Sequence, residues 1–467
     1  MSSFSLYRTR IYVLTSLLSI LISIMGCQKF TEVTPPKTQL VSASVFKNKS
    51  TANSAVAGMY SYMYQLNNSV STFGGYHLTI NTGLLADELV QPAIPENPYF
   101  TNNVPVDDED VGFIWQSCYT IIYNANSIIE GLKDAGNIPT ADRNQFVGEA
   151  LFIRAVCHFY LINLFGDAPL ITTTNVNHTS ISGRTSVDNV YRQILTDLLE
   201  AQQNLSDDYS YSQGERVRAN KWVVTAFLSR VYLYQKDWAN AEIQAGSVIS
   251  NNNLYTLLTD LNGVFLKNSQ EAIWQFLSNQ GNGYTTLGYL LIPGSSNIVP
   301  TYALSGFLMN SFEPNDQREA KWVKSNLVNG QSFDFPYKYK QSSSASGAGE
   351  YDMVLRLAEQ YLIRAEARAE QNNISGSLDD LNMIRSRAGL PASIIGDKDS
   401  LLTAILHERQ CELFAEYGHR WMDLKRLGLA DAVLGSEKPG WKNTSSLLPL
   451  PQIELSKNPN LKQNTGY

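Results

Sequence analysis

The side chains able to do chemistry in this 467-residue chain are few and scattered. His77, His158, His178, His407 and His419 form no His-Glu-x-x-His helix and no Cys/His set with ligand spacing, so no zinc site is expected. His158 and His407 fall in apolar helical stretches and read as satisfied core residues. There is no Gly-x-Ser-x-Gly elbow, no phosphate loop and no dinucleotide fingerprint. The acids gather at Asp87-Glu88 and at Asp107-Asp108-Glu109-Asp110. A glycosidase needs two carboxylates about 5–9.5 Å apart, which adjacent positions do not supply. The run 107–110 lacks the layout of a calcium loop and reads as a solvated loop; Asp87-Glu88 reads as structural. Neither a metal nor a cofactor is expected.

What remains is aromatic surface. Among 25 Tyr, 18 Phe and 7 Trp, several rings stand in loops beside amides. Tyr76 lies between Gly74-Gly75 and His77, and Tyr99-Phe100 between Pro98 and Asn102-Asn103. Tyr284 and Tyr289 flank Thr285-Thr286, with Asn279, Gln280 and Asn282 close by, and Tyr302 ends that segment. Sugars stack their C–H faces on rings while their hydroxyls seek amides and carboxylates; peptides use similar surfaces. Tyr76, Tyr99, Phe100, Tyr284, Tyr289 and Tyr302 are therefore the ligand-binding candidates, with packing beneath a loop the competing role of each. Trp115, Trp222, Trp274 and Trp421 sit in helix or strand patterns and are expected in the core.

The elements that must position these rings are mostly helical. Apolar residues at spacings of three and four mark helices around Ala52–Met63, Ile114–Leu132 and Gln145–Phe165. Thr185 and Asp188 read as a capping box for the next one. Two segments read as helical hairpins. Val223, Phe227 and Val231 turn through 235–237 to Ala241, Ala245 and Val248. Ala358, Leu362, Ala365 and Ala369 turn through Asn372-Asn373 to Leu378, Leu381 and Ile384. Small residues four apart let such helices approach closely, as in tetratricopeptide-like packing. Long polar loops are expected at 66–112, 167–184, 206–216, 278–310 and 323–350, and short strands at Ala272–Leu277 and Tyr337–Lys340.

Residues 1–26 read as an export signal, with Arg8 and Arg10 before an apolar stretch from Ile11 to Met25. That stretch is shorter than the roughly 20 residues of a spanning helix. It ends at Ile24-Met25-Gly26-Cys27, which looks like a lipobox, so Cys27 is the expected lipid-attachment site. No second span of that kind is apparent. Loss of Arg8 and Arg10 with the signal moves the formal net charge from -7 to -9, an acidic balance that argues against nucleic acid. Cys118, Cys157 and Cys411 are expected as buried free thiols, with one disulfide plus one free thiol the alternative.

Toward the C-terminus Glu408, Arg409, Glu412, Arg420, Asp423 and Arg426 share turns with Leu413, Phe414, Trp421 and Leu424. Buried charges are costly unless paired, so these predict an internal Arg–carboxylate network. Arg154, Arg364, Glu366, Arg385 and Arg387 invite the same reading. Gly418 is expected to break the helix after Tyr417. The chain closes with Leu447-Leu-Pro-Leu-Pro-Gln452 and Asn458-Pro-Asn-Leu-Lys-Gln-Asn-Thr-Gly-Tyr467.

These endings, with Asn163-Leu-Phe-Gly-Asp-Ala-Pro-Leu170 and Asn382-x-Ile-Arg-x-Arg-Ala-Gly-Leu390, resemble the signature of the SusD/RagB family. Its members are outer-membrane lipoproteins of Bacteroidota that capture nutrients for TonB-dependent transporters. The resemblance implies a mainly α, tetratricopeptide-like scaffold of helical hairpins with long ligand-binding loops and a few short strands. It implies one domain over 27–467, after a signal over 1–26, with loops inserted at 66–112 and 278–350. It further implies lipid anchoring in the outer membrane, facing outward, and non-catalytic capture of a glycan for a SusC-like partner. Capture of peptides on the same scaffold is the alternative; a lipoprotein hydrolase is disfavoured by the missing catalytic constellation.

Overall fold

Ala52, Val56, Met59, Tyr60 and Met63 are all buried, so α1 (Lys49–Tyr64) forms with that face inward. The computed structural model describes residues 45–64, 73, 76–277, 283–343, 349–438 and 440–467. Phe46–Tyr467 is one compact unit, and residues 1–26, expected as the signal, and Cys27 lie outside the described residues. Asp108 starts α2 (Glu109–Leu132), its Oδ1 accepting the Val111 N–H at 3.0 Å. The acidic run is thus no solvated loop. Glu109 and Asp110 occupy the first helical turn, where carboxylates complement the helix dipole.

The next helix, α3 (Thr140–Phe165), is long and apolar enough to cross a membrane, contrary to the expectation that no second such span exists. It is the core helix instead. Phe152 packs edge-on to Phe227 and Trp274, and Arg154 makes paired hydrogen bonds of 2.7 and 2.8 Å to Asp197. The following α4 (Val187–Asn204) is not capped by Thr185, whose backbone is committed to a two-way bridge with Ala168. Asp167 Oδ1 accepts the Val187 N–H instead, at 3.0 Å.

The chain continues through α5 (Lys221–Tyr234), α6 (Trp238–Ile249), the short α7 (Thr286–Leu291), α8 (Leu357–Glu370), α9 (Ile374–Arg387), α10 (Lys398–Leu413), α11 (His419–Arg426) and α12 (Gln452–Lys457). From α1 to α6 each helix packs on the next, α6 packs on α8, and α8 on α9 and α10. Both expected hairpins are present, α5/α6 and α8/α9, with the small Ala241, Ala245, Ala365 and Ala369 buried. The architecture is mainly α.

The strands are short. β1 (Leu89–Val90) pairs antiparallel with β3 (Ala303–Leu304), and β2 (Ala272–Phe276) with β6 (Asp352–Arg356). The strand expected at Tyr337–Lys340 lies earlier, as a hairpin of β4 (Val323–Val328) and β5 (Gln331–Pro336). Asn329 and Gly330 turn it at φ 52° and 82°, the left-handed geometry that a tight hairpin demands. Beyond Pro336 the chain leaves the ladder to bury Lys338, whose ammonium sits 4.0 Å from the Phe414 ring centroid and donates to Glu412 O at 2.8 Å.

The predicted ionic network is present and interior. Arg356 reaches Glu412 at 2.5 Å and Glu416 at 2.8 Å; Arg318 reaches Asp316, Glu408 and Glu412 at 2.8, 2.6 and 3.2 Å. Arg387 holds Glu271 at 2.8 Å and also Glu412. Arg420 clamps Asp87 at 2.6 Å, tying α11 to the first loop, and Arg426 spans Glu366 and Asp423. One boundary differs from expectation: α10 ends at Leu413, four residues before Tyr417. Glu416 is drawn to Arg356 and Lys338, while the Tyr417 N–H donates to Thr79 Oγ1 at 3.0 Å. Gly418, at φ 77°, then passes Thr82, whose Oγ1 a Cβ there would meet at 2.8 Å.

Candidate functional site

The candidate rings fall into two groups, each braced by the elements beneath it. The first stands on a π-helical turn, Tyr76–Asn81, in which every residue after Tyr76 is buried. The half-buried Tyr76 meets the phenol of Tyr302, which arrives from the far loop just ahead of β3. His77 packs between the Tyr76 and Phe113 rings, 4.8 Å from each. Its Nε2 lies 3.6 Å from Asp110, yet no ion pair forms, because burial pushes the imidazole down to about 3 against the opposing pull of Asp108. Tyr99, 3% exposed, donates its hydroxyl to Asp108 Oδ1 at 2.6 Å. Tyr302 is 6% exposed. Phe100 lies under the Lys438 ammonium, 4.5 Å from the ring centroid.

The second group stands on α7. Thr285 Oγ1 caps that helix by accepting the Gly288 N–H at 2.8 Å. Tyr284 is half-buried and Tyr289 62% exposed, with ring centroids 6.5 Å apart and planes 35° from parallel. Asn279, Gln280 and Asn282, and also Gly74 and Gly75, lie outside the described residues. The turn rests on buried acids. Glu350 accepts the N–H groups of Lys340 and Gln341 at 2.6 and 3.2 Å, and burial raises its carboxyl to about 7. Asp352 lies fully buried, facing Tyr64, Thr285 and the Leu287 N–H, and burial, with Glu350 adding, raises it from 3.8 to about 8.

Asp352 makes this turn sensitive to pH. The unfolded chain ionises the carboxyl above pH 3.8 while the folded protein keeps it neutral to about pH 8, so the fold loses stability as pH rises between those values. Asp352→Asn removes that term. Its melting temperature is expected to gain on the parent by a margin that widens from pH 4 to pH 8 and is constant above. A margin that stays flat across this window would show that Asp352 is ionised in the fold.

Among the described residues no cluster of three or more His, Cys, Asp or Glu could hold a metal ion. Cys411 Sγ lies 3.9 Å from His407 Nε2, but burial raises the thiol to about 12 and His407 Nε2 is engaged with Ser311 O at 2.7 Å. His158 is likewise spent on the backbone, its Nδ1 3.0 Å from Arg154 O. Cys118, Cys157 and Cys411 are free and buried.

Sequence comparison agrees with this architecture along the chain. Residues 29–233 match the family model described as starch-binding associating with outer membrane, and residues 197–467 match that of the SusD family. The chain belongs to the SusD family. It is 27% identical to SusD-like protein P25 of Formosa agariphila over 96% of this chain and 98% of that one. Among solved structures, a SusD-like carbohydrate-binding protein of Bacteroides fragilis superposes with a TM-score of 0.78 at 21% identity, covering 90% of this chain and 100% of the other. A laminarin-binding SusD-like protein superposes with a TM-score of 0.76 at 24% identity, again covering 90% and 100%.

Two features of the site region escaped the sequence reading. The Tyr76–Tyr302 contact joins loops 226 positions apart, and no local pattern marks it. The β4–β5 hairpin did carry a signal: Asn329-Gly330 is a strong short-range hairpin mark.

Proposed function

We propose that this protein captures neutral glycans without converting them. The observation that most supports the reading is the Tyr284–Tyr289 pair: two neighbouring rings, one largely open to solvent, on a capped turn braced from below. Such a surface stacks on sugar C–H faces, and because it is preformed it loses little ordering entropy when ligand arrives. Membership of the SusD family and the likeness to a laminarin-binding relative support the same ligand class. Tyr76 is the third contact we assign, with Tyr302 and Tyr99 holding it in place and Phe100 at the edge of its loop. Signal removal after residue 26 and lipidation of Cys27 would leave the body, 27–467, tethered to the outer membrane and facing outward. There it would pass its ligand to a SusC-like TonB-dependent transporter.

The test is binding to a panel of neutral polysaccharides, including laminarin and starch, beside a panel of peptides, with titration calorimetry at high ligand concentration. Saturable binding of a glycan and none of peptides is expected. Peptide binding with no glycan binding would replace the ligand class, and release of shortened sugar chains on incubation would overturn the non-catalytic reading.

A further inference from the structure

A second aromatic face lies along α2. Trp115, Tyr119 and Tyr123 follow one another at four-residue spacing, which sets their side chains on one side of the helix. They floor a cleft of about 580 Å³, within the size range of ligand sites. Trp115 is buried, Tyr119 half-buried with its ring 5.0 Å from that of Trp115, and Tyr123 is 51% exposed. The floor thus ends in one open ring on a packed support.

The walls are held by hydrogen bonds to polar groups on the neighbouring elements. Tyr119 donates its hydroxyl to Pro169 O at 2.9 Å, and Asn126 donates to Ile171 O and Thr173 O at 3.3 Å each. Asn126 is fixed in turn by Arg154 at 2.8 Å, and Arg154 by Asp197. Glu130 accepts the Thr173 hydroxyl at 2.7 Å and the Thr174 N–H at 3.0 Å. Across the cleft, Asn458 Nδ2 donates to Ser182 O at 2.8 Å, fastening the C-terminal segment to the opposite rim. These hydrogen bonds, buried at Arg154 and running out to the solvent-exposed Glu130, set the shape of an open cleft before any ligand enters.

The lining chemistry is neutral and rich in hydrogen-bonding groups: Gln116, Thr120, Thr173, Thr179, Ser180 and Ser182. Its two charged residues, Glu454 and Lys457, pair with each other at 3.2 Å. A ring platform ringed by hydroxyls and amides, without net charge, fits an uncharged oligosaccharide. We propose that this cleft is a glycan-binding site separate from the loop rings, with Tyr123 as its stacking platform. The assignment of ligand class rests on the glycan reading above. Two binding surfaces on one molecule would let it hold a polysaccharide at two points and gain avidity. Ile181 and Ile453, both exposed and next in the chain to lining residues, make a protein contact the competing occupant.

The experiment is calorimetric titration of the full-length protein in detergent with the best-bound neutral oligosaccharide from an array containing laminarin and starch fragments. Parent, Tyr123→Ala, the cleft-filling Thr120→Trp and the double variant Tyr284→Ala/Tyr289→Ala are compared. Tyr123 is exposed, so its loss leaves the fold intact, and melting temperature checks this. A parent stoichiometry of two, reduced to one by Tyr123→Ala or Thr120→Trp, is the expected result. Binding lost only in the loop variant, with both cleft variants unchanged, overturns the proposal and leaves the glycan reading standing. Binding lost in the cleft variants alone supports the cleft and moves the site away from the loops. Absence of glycan binding by the parent overturns both. Unchanged glycan binding in Tyr123→Ala, together with weakened association with another polypeptide, assigns the cleft to a protein and overturns the proposal.

Discussion

Glu412→Gln is expected to lower the folding stability by about 3–5 kcal/mol, the size of effect seen when one partner of a buried ion pair is removed. Glu412 is fully buried and serves three arginines: Arg356 at 2.5 Å, Arg318 at 3.2 Å and Arg387. Glutamine keeps the shape and one acceptor oxygen but strips the charge that all three share. Burial by itself would raise the Glu412 carboxyl; Arg387, Arg356 and Arg318 outweigh it and hold the group far below the carboxylate range. The folded pKa is depressed, so the stabilisation is fully present above the unfolded value of 4.5 and is lost only as pH falls toward the folded one. The gap between parent and variant in urea midpoint should therefore be constant from pH 8 to pH 5 and close only in strong acid. Equal midpoints at pH 7 would show that the arginines find other partners at no cost.

That network also shows how far the chain could be read without its fold. The alternation of Glu408, Arg409, Glu412, Arg420, Asp423 and Arg426 with apolar neighbours demanded internal pairing, and all six are buried or nearly so and paired. Which acid meets which base was not legible. Arg420 on α11 pairs with Asp87 in the first loop, 333 positions away, and Arg356 at the end of β6 pairs with Glu271 just before β2, because tertiary packing brings segments distant in sequence together. The helical hairpins were legible for the same reason that they form: small residues at a spacing of four record a local contact. The acidic run 107–110 misled because a helix N-terminus and a solvated loop share a composition. Only the bond from Val111 N–H to Asp108 tells them apart.

The rings divide on the same principle, and the division gives the second large effect. Tyr289→Ala is expected to weaken glycan binding about tenfold or more, as for truncated aromatic anchors, with no change in melting temperature. Tyr99→Ala is expected to do the reverse in kind: a loss of about 3–5 kcal/mol of stability, as for a large aromatic deleted from a core. Both are tyrosines beside amides in long loops, and composition ranks them equally. What separates them is where the hydroxyl goes. Tyr99 spends its own on Asp108, the residue that caps α2, so it holds the 76–110 loop against that helix and leaves no ring face for a ligand. Tyr289 projects from a short helix whose cap and backbone are satisfied below it, and 62% of its surface remains for contact. Paired titrations and melting curves of the two variants decide the matter. Lost affinity in Tyr99→Ala at unchanged stability, or lost stability in Tyr289→Ala, would exchange their roles and move the ligand site to the π-helical turn.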